Sequence, residues 1–229
     1  MLSDRRPIVC LVTDRPRLCV GCDDSASRRC LRAQVQAAVA AGIDLVQLRD
    51  REMAAARLAD LVSEAVGVAR GSATRILVND RLDVAIACGA DGVHLRADSV
   101  PAASVRPLVP RGFLIGRSVH APDEAVRVAA GVDYLIAGAV FPTASKPGAM
   151  RRLGDEGLAA VVRAVGVPVL AIGGLTVEHL PRVAAAGAAG IAAIGLFLGD
   201  DAATPCRSVP LDARVRAARA AFDRRGLTA

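Results

Sequence analysis

Short unbroken runs of Val, Ile, Leu and Ala alternate along this chain with longer segments in which apolar residues recur every three or four positions. The short runs predict strands at residues 8–13, 44–49, 75–79, 91–95, 113–116, 133–138, 168–172 and 190–194. The periodic segments predict helices at 28–41, 53–70, 81–88, 101–109, 122–130, 158–165, 177–186 and 211–224. Continuous apolar runs, rather than apolar–polar alternation, are what strands buried on both faces require, and such strands belong to parallel sheets. Gly42, Gly71, Gly89, Gly131, Gly166 and Gly187 fall just past predicted helices, where a left-handed residue ends the last turn. Eight strand–helix units in 229 residues predict an α/β protein closed as a single (β/α)8 TIM barrel over the whole chain. An irregular loop is expected at about residues 14–27, and the last helix closes the barrel. A doubly wound open sheet fits less well, because no Gly-x-Gly-x-x-Gly follows the first strand.

Composition narrows the partners. Hydrophobic residues make up 53% of the chain and aromatics only 2%, so the core is aliphatic. The net charge of +6 is spread over scattered arginines, with no run of five like charges. Single-stranded nucleic acid would want a basic track with stacking aromatics, which one Tyr and four Phe do not supply. Anionic small molecules suit the surplus better. Neither a signal-like apolar stretch at the start nor a membrane-length run is present, so a cytoplasmic protein without a membrane partner is expected. The sequence leaves the oligomeric state open, a homo-oligomer included. Cys19-Val20-Gly21-Cys22, with Cys30 nearby, has metal or redox spacing, but a closed zinc site needs four ligands. Reduced loop thiols are therefore the expectation there.

In a (β/α)8 barrel the residues at the C-terminal ends of the strands share one mouth. That rule gathers Thr13, Asp14, Gln47, Arg49, Arg51, Asn79, Asp80, His94, Ser118, His120, Thr143 and Lys146. In the stretch from Leu114 to His120, Gly116 is expected to form a tight turn and Ser118 to offer a hydroxyl. His120 offers a side chain that titrates near neutral pH unaided. Lys146 is the sole lysine of the chain, every other Lys/Arg position being Arg, so a compact point charge is wanted there. Gly173 and Gly174 end the seventh strand, and Ile194 and Gly195 the eighth. Exposed backbone N–H groups in these two loops are where barrels commonly hold phosphate, so a phosphorylated small substrate is expected.

Five ordered motifs go further. Gln47-Leu48-Arg49, Val78-Asn79-Asp80-Arg81-Leu82-Asp83, Asp91-Gly92-Val93-His94-Leu95, Phe141-Pro142-Thr143 with Lys146, and Ala171-Ile172-Gly173-Gly174 resemble the thiamine phosphate synthase/thiazole tautomerase family in order and spacing. The resemblance implies a (β/α)8 barrel that makes the thiazole half of thiamine or joins it to the pyrimidine. It also implies two kinds of chemistry. The synthase branch displaces pyrophosphate with magnesium, held by the Asp of Asn-Asp and by an Asp after the Gly-Val-His strand. Here those positions read Asp80 and Ser99, with Asp98 one residue early, and Arg51 stands where the synthase pattern has Lys. The loop Gly116-Arg117-Ser118-Val119-His120 resembles the tautomerase branch, whose His moves a proton on a carboxythiazole phosphate.

The expectation is thus a metal-independent tautomerase without a cofactor, in which His120, Lys146 and Ser118 are catalytic. Gln47, Arg49, Arg51, Asn79, Thr143, Gly173, Gly174, Ile194 and Gly195 bind a phosphorylated thiazole. The alternative is the synthase reaction, with magnesium on Asp80 and Asp98. A barrel that binds thiamine intermediates without turnover is the third reading.

Overall fold

The computed structural model describes residues 7–143, 152–198 and 210–223. In chain order its first half runs β1 (Ile8–Val12), α1 (Arg15–Leu18), α2 (Asp24–Ala40), β2 (Leu45–Leu48), α3 (Ala55–Ala69), β3 (Arg75–Asn79), α4 (Leu82–Ala87), β4 (Gly92–Leu95) and α5 (Ala102–Val105). The second half runs β5 (Leu114–Val119), α6 (Pro122–Val128), β6 (Tyr134–Gly138), α7 (Gly154–Ala164), β7 (Val169–Ile172), α8 (Leu180–Ala185), β8 (Gly190–Ala193) and α9 (Leu211–Asp223). All eight strands are parallel and pair in sequence order, and β8 returns to β1 to close the barrel.

Strand pleat divides the apolar residues into two sets. Ile8, Cys10 and Val12 of β1 point inward with Leu45, Leu77, Leu114, Tyr134, Ile136, Leu170 and Ala192, filling the barrel axis. Val9 and Leu11 point outward with Val46, Ile76, Val78, Val93 and Ile115 against the helices, forming the larger core. At the bottom of the barrel one device recurs three times. Asp44, Asp91 and Asp133 precede the even strands β2, β4 and β6, and each accepts a backbone N–H of the preceding odd strand (Val9, Ile76 and Ile115) at 2.7–2.8 Å. These carboxylates satisfy buried backbone donors at the stability face, away from the mouth.

Three expectations change. The stretch at 14–27 is not an irregular loop: it holds the short helix α1 and the first turn of α2, capped by the side chains of Asp14 and Asp23 respectively. β5 runs on to Val119, so Gly116 is not a turn residue but lies in mid-strand, where a Cβ would stand 2.1 Å from Cζ of Tyr134. Its missing side chain makes room for the tyrosine ring inside the barrel. Of the predicted helix-ending glycines, Gly42, Gly71, Gly89, Gly131 and Gly187 do have positive φ, whereas Gly166 does not.

Candidate active site

The mouth opens into a cavity of about 600 Å³, in the range that small-molecule sites occupy. Gln47, Arg49, Arg51, Asn79, His94, Ser118, His120, Thr143, Gly173, Gly174, Ile194 and Gly195 line it, with Asp14, whereas Thr13 and Asp80, which the barrel rule also gathers, are not among its lining residues. Lys146 lies outside the described residues.

On the β2–β3 side, Gln47 Nε2 donates to Asn79 Oδ1 at 2.9 Å, while Gln47 Oε1 is buried without a partner. An unsatisfied buried acceptor beside a cavity is the mark of a position that a ligand donor completes. Thr13 Oγ1 accepts the Arg49 backbone N–H at 2.9 Å and so fixes the start of the loop after β2. Burial holds the Arg49 guanidinium below its ordinary range, with Arg51 nearby adding to the effect.

β4 and β5 place two histidines. His94 is 2% exposed, and its ring nitrogens meet the Tyr134 hydroxyl at 3.2 Å and Ser118 Oγ at 2.9 Å. Desolvation pushes its pKa down to about 3, so the ring is neutral. Ser118, predicted as catalytic, lines the cavity with its hydroxyl oriented by this ring. His120 sits at the rim just after β5. Glu124, in the first turn of α6, reaches back to the His120 backbone N–H at 2.6 Å, in the manner of a capping box. His120 Nδ1 donates to the Gly138 carbonyl, which can only accept, so the neutral ring carries its lone pair on Nε2.

On the β6–β8 side the walls are backbone. A Cβ on Gly174 would meet the Pro142 carbonyl oxygen at 2.1 Å, and both Gly173 and Gly174 have positive φ. Only glycine lets the chain turn here this close to the loop after β6. Arg17 and Arg214 also line the cavity, and Arg17 Nη2 lies 3.7 Å from where a Cβ on Gly195 would stand. α1 presents Arg17 to that wall while Arg15 pairs with Asp50 at 2.6 Å and anchors the helix. Neither arginine is among the residues the sequence places at the mouth. For Arg17 the signal was Asp14 followed by Pro16, an N-cap and an early proline that announce a helix.

Residues 18–197 match a family model described as thiamine monophosphate synthase. The chain belongs to that family. Among curated relatives, the thiamine-phosphate synthase of Methanoculleus marisnigri is 44% identical over 188 residues, covering 80% of this chain and 87% of the relative. A putative thiamine-phosphate synthase of Geobacter sulfurreducens is 39% identical over 191 residues, covering 83% and 86%. The solved thiamine phosphate pyrophosphorylase of Pyrococcus furiosus superposes with a TM-score of 0.75 at 26% identity, covering 96% of this chain and 98% of that one. The family is one of thiamine-biosynthesis enzymes, and among the described residues no helix is long and apolar enough to cross a membrane.

Magnesium, which the synthase branch uses, can be tested against the donors present. Asp80 accepts the Ser99 hydroxyl and stands 3.6 Å from Arg96 Nη1. Arg96 Nη2 pairs with Asp98, whose side chain is 68% exposed. Two carboxylates, one of them exposed, with a guanidinium between them make a poor magnesium site by themselves, so a magnesium ion here would have to displace Arg96 and take most of its oxygen ligands from water or substrate phosphate. Arg117 holds this loop in shape. Its buried guanidinium donates to the carbonyls of Ala97, Ser99 and Val100 at 2.6–2.9 Å.

Proposed function

We propose that this family member is a thiazole tautomerase: it aromatises a carboxythiazole phosphate by moving one proton through His120. The observation that carries the reading is the His120–Gly138 hydrogen bond, which turns Nε2 into a base at the rim while Arg96 occupies the two acids a metal would need. The phosphate rests against the backbone of Gly173, Gly174, Ile194 and Gly195, with Thr143 and Arg17 beside it. Arg49 and Arg51 face the carboxylate, with Lys146 as a further cation, and Gln47 and Asn79 hold polar ring atoms. His120 Nε2 takes a proton from a saturated ring position, and the electron pair left behind enters the ring. Negative charge builds toward the arginines, and the same Nε2–H returns the proton at the second position. No atom is gained or lost.

Metal-free protein incubated with the non-aromatic carboxythiazole tautomer is expected to give the aromatic product, followed by its ultraviolet absorbance, faster than the spontaneous rate. An uncatalysed rate, or full activity in His120→Ala, overturns the reading. The names of the relatives favour a second reaction, condensation of an aminopyrimidine pyrophosphate with thiazole phosphate. Magnesium-dependent release of pyrophosphate from those two substrates would establish it instead.

A further inference from the structure

The geometry points to a second site outside the barrel mouth: Cys19, Cys22 and Cys30 form a three-thiolate site for a zinc-like divalent cation. Cys19 caps the C-terminal end of α1, Gly21 (φ 72°) turns the chain, and Cys22 precedes Asp23, the N-cap of α2. Cys30 comes from the second turn of α2. The three sulfurs lie within 4.8 Å of one another, Cys19 and Cys30 being 4% and 3% exposed and Cys22 half-buried. Sulfurs bound tetrahedrally to one zinc at about 2.3 Å lie about 3.8 Å apart, so the backbone already holds all three at ligating range.

In the structure Cys19 and Cys22 are joined as a disulfide, against the expectation of reduced thiols, and Cys30 Sγ sits 3.2 Å from Cys19 Sγ. The Cys-x-x-Cys turn followed by a helical Cys is also ligand spacing. With a dithiol reductant, the Cys19–Cys22 bond takes up two electrons and two protons as the dithiol closes to its own disulfide. Zinc then displaces one proton from each of three thiols. The fourth position opens on the half-buried Cys22 side, where water completes the tetrahedron. Bound there, the ion fastens the C-terminal end of α1 to α2.

The test uses the full chain, reduced with a dithiol, freed of reductant without air and dialysed against zinc chloride alone. One equivalent of zinc is expected by elemental analysis, kept in Cys88→Ser and lost in Cys19→Ser/Cys22→Ser/Cys30→Ser. With cobalt(II) chloride instead, reduced protein is expected to show a thiolate-to-cobalt charge-transfer band in the near ultraviolet. Should the triple variant fail to fold, Cys30→Ser alone is expected to lose the third thiolate's share of that band. Zinc uptake no greater than that of the triple variant, or a cobalt spectrum without the band, overturns the site. So does a Cys19–Cys22 disulfide that survives the dithiol with Cys30 as a lone thiol, seen by intact mass and alkylation. None of these readouts depends on the reaction at the barrel mouth.

Discussion

His94 and His120 stand on adjacent stretches of one barrel, yet their surroundings make them different instruments. His94 is shut in, with a hydroxyl on each ring nitrogen, and burial keeps it neutral down to about pH 3. His120 is half-buried at the rim and lines the cavity, with Nδ1 held by the Gly138 carbonyl. Full satisfaction makes a histidine structural. Anchoring one nitrogen while leaving the other for a ligand is the arrangement a general base requires, and the proposed reaction uses His120 in that way. Both are histidines at the ends of neighbouring strands, so it is the environment that separates them.

Substitutions can break this contrast. The largest effect is expected from His120→Ala, a fall in kcat of about 10²–10⁴ with little change in KM, measured by steady-state kinetics on the carboxythiazole tautomer. His94→Leu is expected to act on stability instead. The buried Tyr134 hydroxyl loses its partner, at about 1–3 kcal/mol, read as a lower urea midpoint with kcat less affected than in His120→Ala.

Gly116→Ala presses a methyl group into the Tyr134 ring and should cost about 1–3 kcal/mol by the same measurement. Adding Tyr134→Leu should recover part of that loss, and a purely additive pair would place the strain elsewhere.

The last effect is in pH. The folded His94 pKa, about 3, lies below its ordinary 6.5, so between those values the unfolded chain binds a proton that the folded chain does not. Stability therefore falls as pH drops from about 6.5 toward 3, by at most ~1.4 kcal/mol per pH unit from this residue. Urea midpoints at pH 7 and pH 5 should separate less in His94→Leu than in the unaltered protein. Equal separations would mean that His94 is not the group responsible.

The barrel was legible because each strand is a continuous aliphatic run and each helix has a face of period 3.6. β5 was cut short at Gly116 because Arg117 and Ser118 interrupt its apolar run. In the fold Arg117 is buried all the same, its charge met by three carbonyls. α1 was missed because four residues beginning Arg15-Pro16-Arg17 carry no periodicity, and with it went Arg17 at the cavity. The family resemblance implies that Ser99 stands where the synthase pattern has an acid. The capture of Asp80 and Asp98 by Arg96 could not be read from the sequence, since it depends on how the loop after β4 curls.

That curl is fixed by Arg117 through main-chain oxygens, which every amino acid possesses. The loop's outline thereby rests largely on groups common to any residue, as a picture frame serves many canvases, with the Ser99 hydroxyl adding one side-chain bond from the Arg96 backbone N–H at 3.0 Å. Substitutions at 96–99 that leave those carbonyls in place should therefore alter the charge at the barrel mouth while sparing the barrel itself.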